Sequence, residues 1–178
     1  MNINEQYEKD IEQILQPLKT HGLGYRYDYL LDELQNKYKQ TNYPGYLYYI
    51  GQLYEFQILK SPSARIHEKY YSDAANQNYL PALLKQNKIC LDNIDYEITL
   101  NTLWFNQTIN HQLLIQDPYG KYLLAKFNMI KCINDNSIDE YFMGALSLMK
   151  ESANEGCEEA IRFIQAINID GINKVIQD

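Results

Sequence analysis

The side chains of this 178-residue chain that could do chemistry are few and scattered. His67 is followed by Glu68, the opening of a zinc-protease pattern. No second histidine follows four residues after His67, so the paired imidazoles a zinc ion needs on one helix face are missing. His21 and His111 are equally isolated, and all three histidines read as surface or capping residues. Cys90, Cys132 and Cys157 are odd in number, widely spaced and without a C-x-x-C pair. They read as reduced thiols, with Cys90 at a core position of its helix. Gly22-Leu23-Gly24 lacks the lysine and the preceding strand of a phosphate loop. Asp135, Asp139 and Glu140 include spacings near one helical turn, as paired carboxylates would, yet a solvated helix start accounts for the last two. Asn106-Gln107-Thr108 fits a glycosylation sequon, which matters only in a secreted protein. No catalytic residue, metal site or cofactor site is expected, and the chain is read as a non-enzyme.

What remains is surface chemistry. Residues 1–90 carry ten basic and ten acidic side chains. Residues 91–178 carry six basic and thirteen acidic ones, so the whole net charge of −7 lies in the second half. A general nucleic-acid binder needs cations to displace counterions from phosphates, and a grip on anionic lipid needs them too, so neither partner is expected. An acidic half either keeps the protein dissolved or attracts a basic protein. There are also 17 tyrosines. Tyr46, Tyr48 and Tyr49 lie in a row on one helix, so their rings cannot all face the same core. They either shield the core with the hydroxyl outward or serve as rigid binding anchors.

The first 16 residues are polar and acidic, with no signal-peptide pattern, and no apolar run is long enough to span a membrane. A cytoplasmic protein is expected. Apolar residues make up 46% of the chain and charged residues 22%, the balance of a folded domain of one core or one short repeat array.

The elements that must position these groups are helical. Ile3, Tyr7, Ile11, Ile14, Leu15 and Leu18 fall at three- and four-residue steps, so Ile3–Leu18 is an amphipathic helix whose last turn Pro17 should disturb. His21-Gly22-Leu23-Gly24 breaks the pattern. Tyr25–Gln40 then places Tyr27, Leu30, Leu31, Leu34 and Tyr38 on one face, and Asn42-Tyr43-Pro44-Gly45 ends it. Tyr46–Leu59 and Ser63–Gln77 follow, with Ser61 or Ser63 as the expected N-cap of the latter. No sustained apolar/polar alternation appears, which makes the chain all-α.

The helices recur. Ala74-Ala75-Asn76-Gln77-Asn78-Tyr79-Leu80-Pro81-Ala82 aligns with Ser152-Ala153-Asn154-Glu155-Gly156-Cys157-Glu158-Glu159-Ala160 at a constant shift of 78. Small residues coincide, and Asn78 meets Gly156, the two types that best tolerate a left-handed helix end. A shift of 78 is two periods of 39, and Asp117-Pro118-Tyr119-Gly120 punctuates the midpoint.

These residues resemble the Sel-1-like repeats, relatives of the tetratricopeptide repeats. Ile50-Gly51 stands for that family's L-G pair, with Tyr54 three residues on. Tyr70-Tyr71 stands for W-Y, Ala74-Ala75 for A-A, Asn78 for the junction Gly and Ala82 for the next unit's first Ala. The last copy keeps Ala145, Ala153, Gly156 and Ala160, with Leu148-Met149 in place of the aromatics. Between them the pattern thins. Ile109-Asn110 and Leu113-Leu114 fall at the W-Y and A-A places, and Trp104-Phe105 lies five residues too early.

The resemblance implies a right-handed α/α solenoid of about four helix pairs. Residues 1–43 would form a divergent first pair, 44–168 the Sel-1-like repeats and 169–178 a tail. It also implies a scaffold for protein–protein contacts. Tyr48, Gln52 and Glu55 then fall on the first helix of a pair, the face turned to a partner, while Glu151, Glu155, Glu158 and Glu159 form the acidic contribution. Small size, a single array, no leader and an acidic half narrow the expectation to a cytoplasmic immunity protein holding a basic bacterial toxin domain. The alternative is an adaptor in signalling or secretion. Cysteine-rich members of the family have been linked to penicillin binding, but they pair cysteines within each repeat, and this chain does not.

Overall fold

A computed structural model describes residues 2–21, 26–61, 63–92, 112–135 and 138–169. Among these residues the regular structure is helical throughout: α1 Ile3–His21, α2 Asp28–Thr41, α3 Gly45–Glu55, α4 Ile66–Ala75, α5 Leu80–Asp92, α6 Gln112–Gln116, α7 Pro118–Asp135, α8 Ile138–Asn154 and α9 Glu158–Ile169. The chain groups into two compact units, Met1–Gln86 and Asn87–Asp178, and the division falls within α5.

In the first unit the stripes read from the sequence become the core. Ile11 and Ile14 of α1, Tyr27, Leu30 and Leu34 at α2, and Tyr46, Ile50 and Leu53 of α3 are buried together with Leu59. Pro17 does not end α1. The helix runs on to His21, and the Thr20 hydroxyl donates to the Pro17 carbonyl at 3.2 Å. A proline near a helix end removes a single hydrogen bond, here the one to the Gln13 carbonyl, and Gln13 is an exposed residue. α2 begins at Asp28, three residues later than the periodicity predicts.

The expected serine cap of α4 is corrected by the structure. The N-cap is Arg65, with no side-chain cap hydrogen bond. Ser61 Oγ instead accepts the Ser63 backbone N–H at 3.1 Å. The hydroxyl is thus spent on a local turn, and the helix starts beyond it at Ile66.

Helix pairing depends on small residues. A Cβ added to Gly51 would lie 2.7 Å from Tyr71 Cε1 and 3.3 Å from the His67 carbonyl, so only glycine lets α3 come this close to α4. Ala74 and Ala82 are fully buried, and so are their counterparts 78 residues on, Ser152 and Ala160. Tyr71 and Met149 are likewise both sealed from solvent. The Ser152 hydroxyl stays satisfied by donating to the Pro118 carbonyl at 2.6 Å.

The junctions repeat as well. After α4, Asn78 takes φ 60°. Its N–H donates to the Ala75 carbonyl, and that of Tyr79 to the Ala74 carbonyl. After α8, Gly156 takes φ 94°, its N–H donates to Ala153 and that of Cys157 to Ser152. Both are helix ends closed by one left-handed residue and a pair of crossed hydrogen bonds. At the midpoint, 39 residues from each, Asp117 N–H donates to the Leu114 carbonyl at 3.2 Å. The second bond cannot form there, because Pro118 has no N–H. Asp117 Oδ1 instead accepts the Gly120 N–H at 2.9 Å, making Asp117 the N-cap and Pro118 the first residue of α7. A side chain at Gly120 would run into the Leu114 carbonyl. Trp104-Phe105 and Ile109-Asn110 lie outside the described residues.

Since Ala74 has no exposed surface, Ala74→Leu overpacks the α4 junction. We expect a loss of about 1–3 kcal/mol in urea unfolding, while the same change at exposed Ala166 of α9 stays within about 0.5 kcal/mol of the parent. Equal effects at both positions would refute the packing role.

Candidate functional site

Three carboxylates and a ladder of tyrosines organise the first unit. Glu8 Oε1 on α1 accepts hydrogen bonds from Tyr43 at 2.6 Å and Tyr79 at 2.8 Å. Asp10, half a turn on, accepts from Tyr46 at 2.7 Å and forms an ion pair with Lys37 at 2.9 Å. Glu55 at the end of α3 accepts from Tyr71 at 2.5 Å and pairs with Lys85 at 2.6 Å. The rings touch in sequence. Tyr7 lies 5.1 Å from Tyr43, Tyr43 meets Tyr79 edge-on at 5.9 Å, Tyr79 meets Tyr48 at 5.5 Å, and Tyr48 meets Tyr71 at 5.4 Å. Lys85 Nζ sits 5.6 Å above the Tyr71 ring. Apolar ring edges fill the interior, and hydroxyls at the rim find acceptors.

This arrangement shifts the acids and the phenols in opposite senses. Burial by itself would raise the pKa of Asp10, but hydrogen bonds from Lys37 and Tyr46 and the Lys37 charge prevail and hold it below the usual carboxylate value. Burial opposes ionisation of Glu55 likewise, and Lys85 and Tyr71 again prevail. Burial first, and then the hydrogen bond to a carboxylate, pushes Tyr43, Tyr46, Tyr71 and Tyr79 well above the ordinary phenol value. In the second unit burial, followed by the nearby Glu159 charge, pushes Tyr119 up to about 12.

The three first-unit residues proposed to face a partner come together inside this ladder. Tyr48 is half-buried between the rings of Tyr49, Tyr71 and Tyr79, and the Gln52 amide donates to its hydroxyl at 3.1 Å. Glu55 is held by Tyr71 and Lys85. The repeat-signature rings Tyr54 and Tyr70 stack 5.7 Å apart at 15°. Next to them, the end of α3 and the start of α4 enclose a groove of about 620 Å³.

In the second unit the four acidic residues cluster around the α8–α9 junction. Lys121 of α7, only 14% exposed, reaches both Glu155 and Glu151, the latter at 3.8 Å. Glu158 pairs with Arg162 one turn along α9 at 2.7 Å. Glu159 accepts a long contact from Cys157 Sγ at 3.6 Å. Glu158 and Glu159 stand in the first turn of α9, where the helix dipole favours negative charge. The side chains of Glu151, Glu155 and Glu158 are 54%, 41% and 76% exposed, so these carboxylates face water.

Sequence reading did not find Glu8, Asp10, Tyr43, Tyr79, Lys85 or Lys121. The first-unit partners lie 16 to 71 residues apart, beyond the reach of any local pattern. Lys121 did carry a signal, since it occupies the place where the 39-residue period has Ala82 and Ala160. Cys90, Cys132 and Cys157 are buried and form no disulfide. Among the described residues no three His, Cys, Asp or Glu side chains gather as a cation site, and no helix is long and apolar enough to cross a membrane. No family model, curated protein or solved structure matches the chain.

Two limbs of pH dependence follow. Asp10 and Glu55 bind protons more weakly folded than unfolded, so their stabilisation is present above about pH 4 and is lost as pH falls through their lowered values. The phenols bind protons more tightly folded, so stability falls again as pH rises above about 10. Urea unfolding across pH should show both limbs, with Asp10→Asn and Glu55→Gln flattening the acid one. Tyr79→Phe should lower stability by about 1–3 kcal/mol at neutral pH by removing one of the two donors to Glu8. An unchanged acid limb in the double variant would disprove the carboxylate assignment.

Proposed function

We propose that this chain is a binding protein without catalytic chemistry, an array of Sel-1-like helix pairs whose acidic second half engages a basic protein. The narrower reading is an immunity protein that captures and neutralises a bacterial toxin domain in the cytoplasm. The observation that carries it is the α8–α9 junction. There Glu151, Glu155, Glu158 and Glu159 share two cations, Lys121 and Arg162, leaving a surplus of negative charge on exposed side chains. Such a patch raises the encounter rate with a cationic surface and selects against acidic ones.

The family reading draws support from the turns at Asn78, Asp117 and Gly156, spaced by 39 residues, and from the buried small residues beside them. An adaptor that reads a peptide is the second reading, favoured by the groove between α3 and α4.

The test of the first reading is co-expression with the product of the neighbouring reading frame. Protection from its toxicity, with co-purification, supports immunity, and the absence of both refutes it. For the recovered partner, changing Glu155, Glu158 and Glu159 to Lys should slow association by about 10-fold or more and flatten its salt dependence. An unchanged rate and salt slope would reduce the patch to a solvated face.

A further inference from the structure

The groove between the end of α3 and the start of α4 is lined by Tyr54, Glu55, Gln57, Leu59, Lys60 and Ser61 on one side and by Ser63, Ala64, Ile66 and His67 on the other. Its volume of about 620 Å³ falls within the size of small-ligand sites. Its floor and walls are partly apolar, through Leu59, Ile66, Ala64 and the Tyr54 ring.

The polar groups are weighted toward donors. Lys60 is exposed on the lip and has no ion-pair partner among the described residues. Ser63 lies exposed beside it. Ser61 uses its oxygen as an acceptor for the Ser63 N–H, which leaves its O–H to donate. The Gln57 amide and the His67 ring add donors. The carboxylate in the lining, Glu55, is already neutralised by Lys85 at 2.6 Å and bound by Tyr71 at 2.5 Å. An incoming anion therefore meets a surplus of positive charge and N–H or O–H groups.

A second observation comes from the backbone. Gln57 takes φ 58°, the left-handed region, and closes α3 with the same crossed hydrogen bonds as the other junctions: Gln57 N–H to the Tyr54 carbonyl and Ile58 N–H to the Leu53 carbonyl. At the sister positions the chain places Asn78 and Gly156, the residue types suited to that conformation. A glutamine bears strain there, and its side chain makes no hydrogen bond to a described residue. Non-glycine residues held in this region cluster at binding sites and switch segments.

We propose that this groove is a binding site for an organic anion, a carboxylate or phosphate carried on an apolar body, with Lys60 and the Gln57 amide holding the charged end and Leu59 and Ile66 the apolar one. The site stands apart from the acidic patch of the second unit and does not depend on it. The anion has two possible sources, a free organic acid or the acidic end of a peptide.

The test is amide NMR titration of the full chain with benzoate, phenyl phosphate, inorganic phosphate, N-acetyl-phenylalanine and its neutral amide. Saturable shifts at 57, 60, 61, 63 and 67 with a Kd of about 1 mM or tighter are expected for at least one anion bearing a ring. Preference for N-acetyl-phenylalanine over benzoate and phenyl phosphate assigns the peptide source, and the reverse assigns the free acid. Lys60→Ala should weaken binding at least about 10-fold, a change of about 1.4 kcal/mol. Gln57→Gly should weaken binding while raising the thermal midpoint, since it removes the strain. That opposite pairing separates a ligand role from a merely structural one. Binding unchanged in both variants, shifts with the neutral amide equal to those with the acid, or no saturable shift with any ring-bearing anion would each overturn the proposal.

Discussion

Close approach between paired helices is the constraint on which the rest of the structure depends. Two helices reach the short end of the usual 8–10 Å separation only where the facing side chains are small. Gly51 provides that against the Tyr71 ring, and Ala74, Ala82, Ser152 and Ala160 provide it at the junctions, each with no exposed surface. The chain must also reverse within a few residues after each helix. A single left-handed residue does so at Asn78 and Gly156, with the last carbonyls of the helix taken up by the two following N–H groups. Small residues set the distance and the left-handed residue sets the direction. Neither suffices alone, since a tight turn between bulky helices would hold them apart, and small residues without the turn would leave the helix end unsatisfied.

Once the helices are fixed, the tyrosines have little freedom. A phenol can bury its ring and still keep its hydroxyl within reach of a carboxylate on the next helix. Glu8 is the clearest instance, a charge solvated by two tyrosine hydroxyls. These bonds are short and charge-assisted, worth about 1.5–3 kcal/mol each when both partners are shielded. They tie α1 to the segments around Tyr43 and Tyr79, in addition to the apolar packing of Ile11 and Ile14. The three first-half acids so engaged are occupied internally, whereas the carboxylates near the α8–α9 junction mostly face solvent. The same side-chain type is thus put to two different uses, internal in Glu8, Asp10 and Glu55 and solvent-facing in Glu151, Glu155 and Glu158.

Local rules made part of this legible in advance. The periodicity of Ile11, Ile14, Leu30 and Leu34 named core residues correctly, because a stripe at 3.6-residue spacing has one face to bury. The pairing of Asn78 with Gly156 foretold two left-handed junctions, because few residue types tolerate that conformation. The start of α4 misled, since serine can cap a helix or close its own turn, and only the surrounding chain decides. The tyrosine–carboxylate pairs were beyond reach for a different reason. Glu8 and Tyr79 are 71 residues apart, and nothing in either neighbourhood marks the other. Gln57 shows a third case, in which a residue type ill suited to its backbone hides a junction that glycine would have announced.

Lys121 shows how fold and surface become coupled. The 39-residue period places it where Ala82 and Ala160 are sealed, and a lysine cannot be sealed without a partner. Its stem lies against the protein, and its ammonium emerges at Glu151 and Glu155. Those two carboxylates stand four residues apart, Glu151 in the last turn of α8 and Glu155 just past its end, and would repel each other without it. One cation between two acids relieves that repulsion and still leaves the pair negative. Altering Glu155 therefore disturbs the helix as well as the surface. Glu158 and Glu159 differ, because Glu158 pairs within its own helix with Arg162, and Glu159 takes a long contact from the neighbouring thiol and lies near the Tyr119 ring. A partner drawn by charge should lean on those two, since their carboxylates can turn outward without leaving a buried cation exposed.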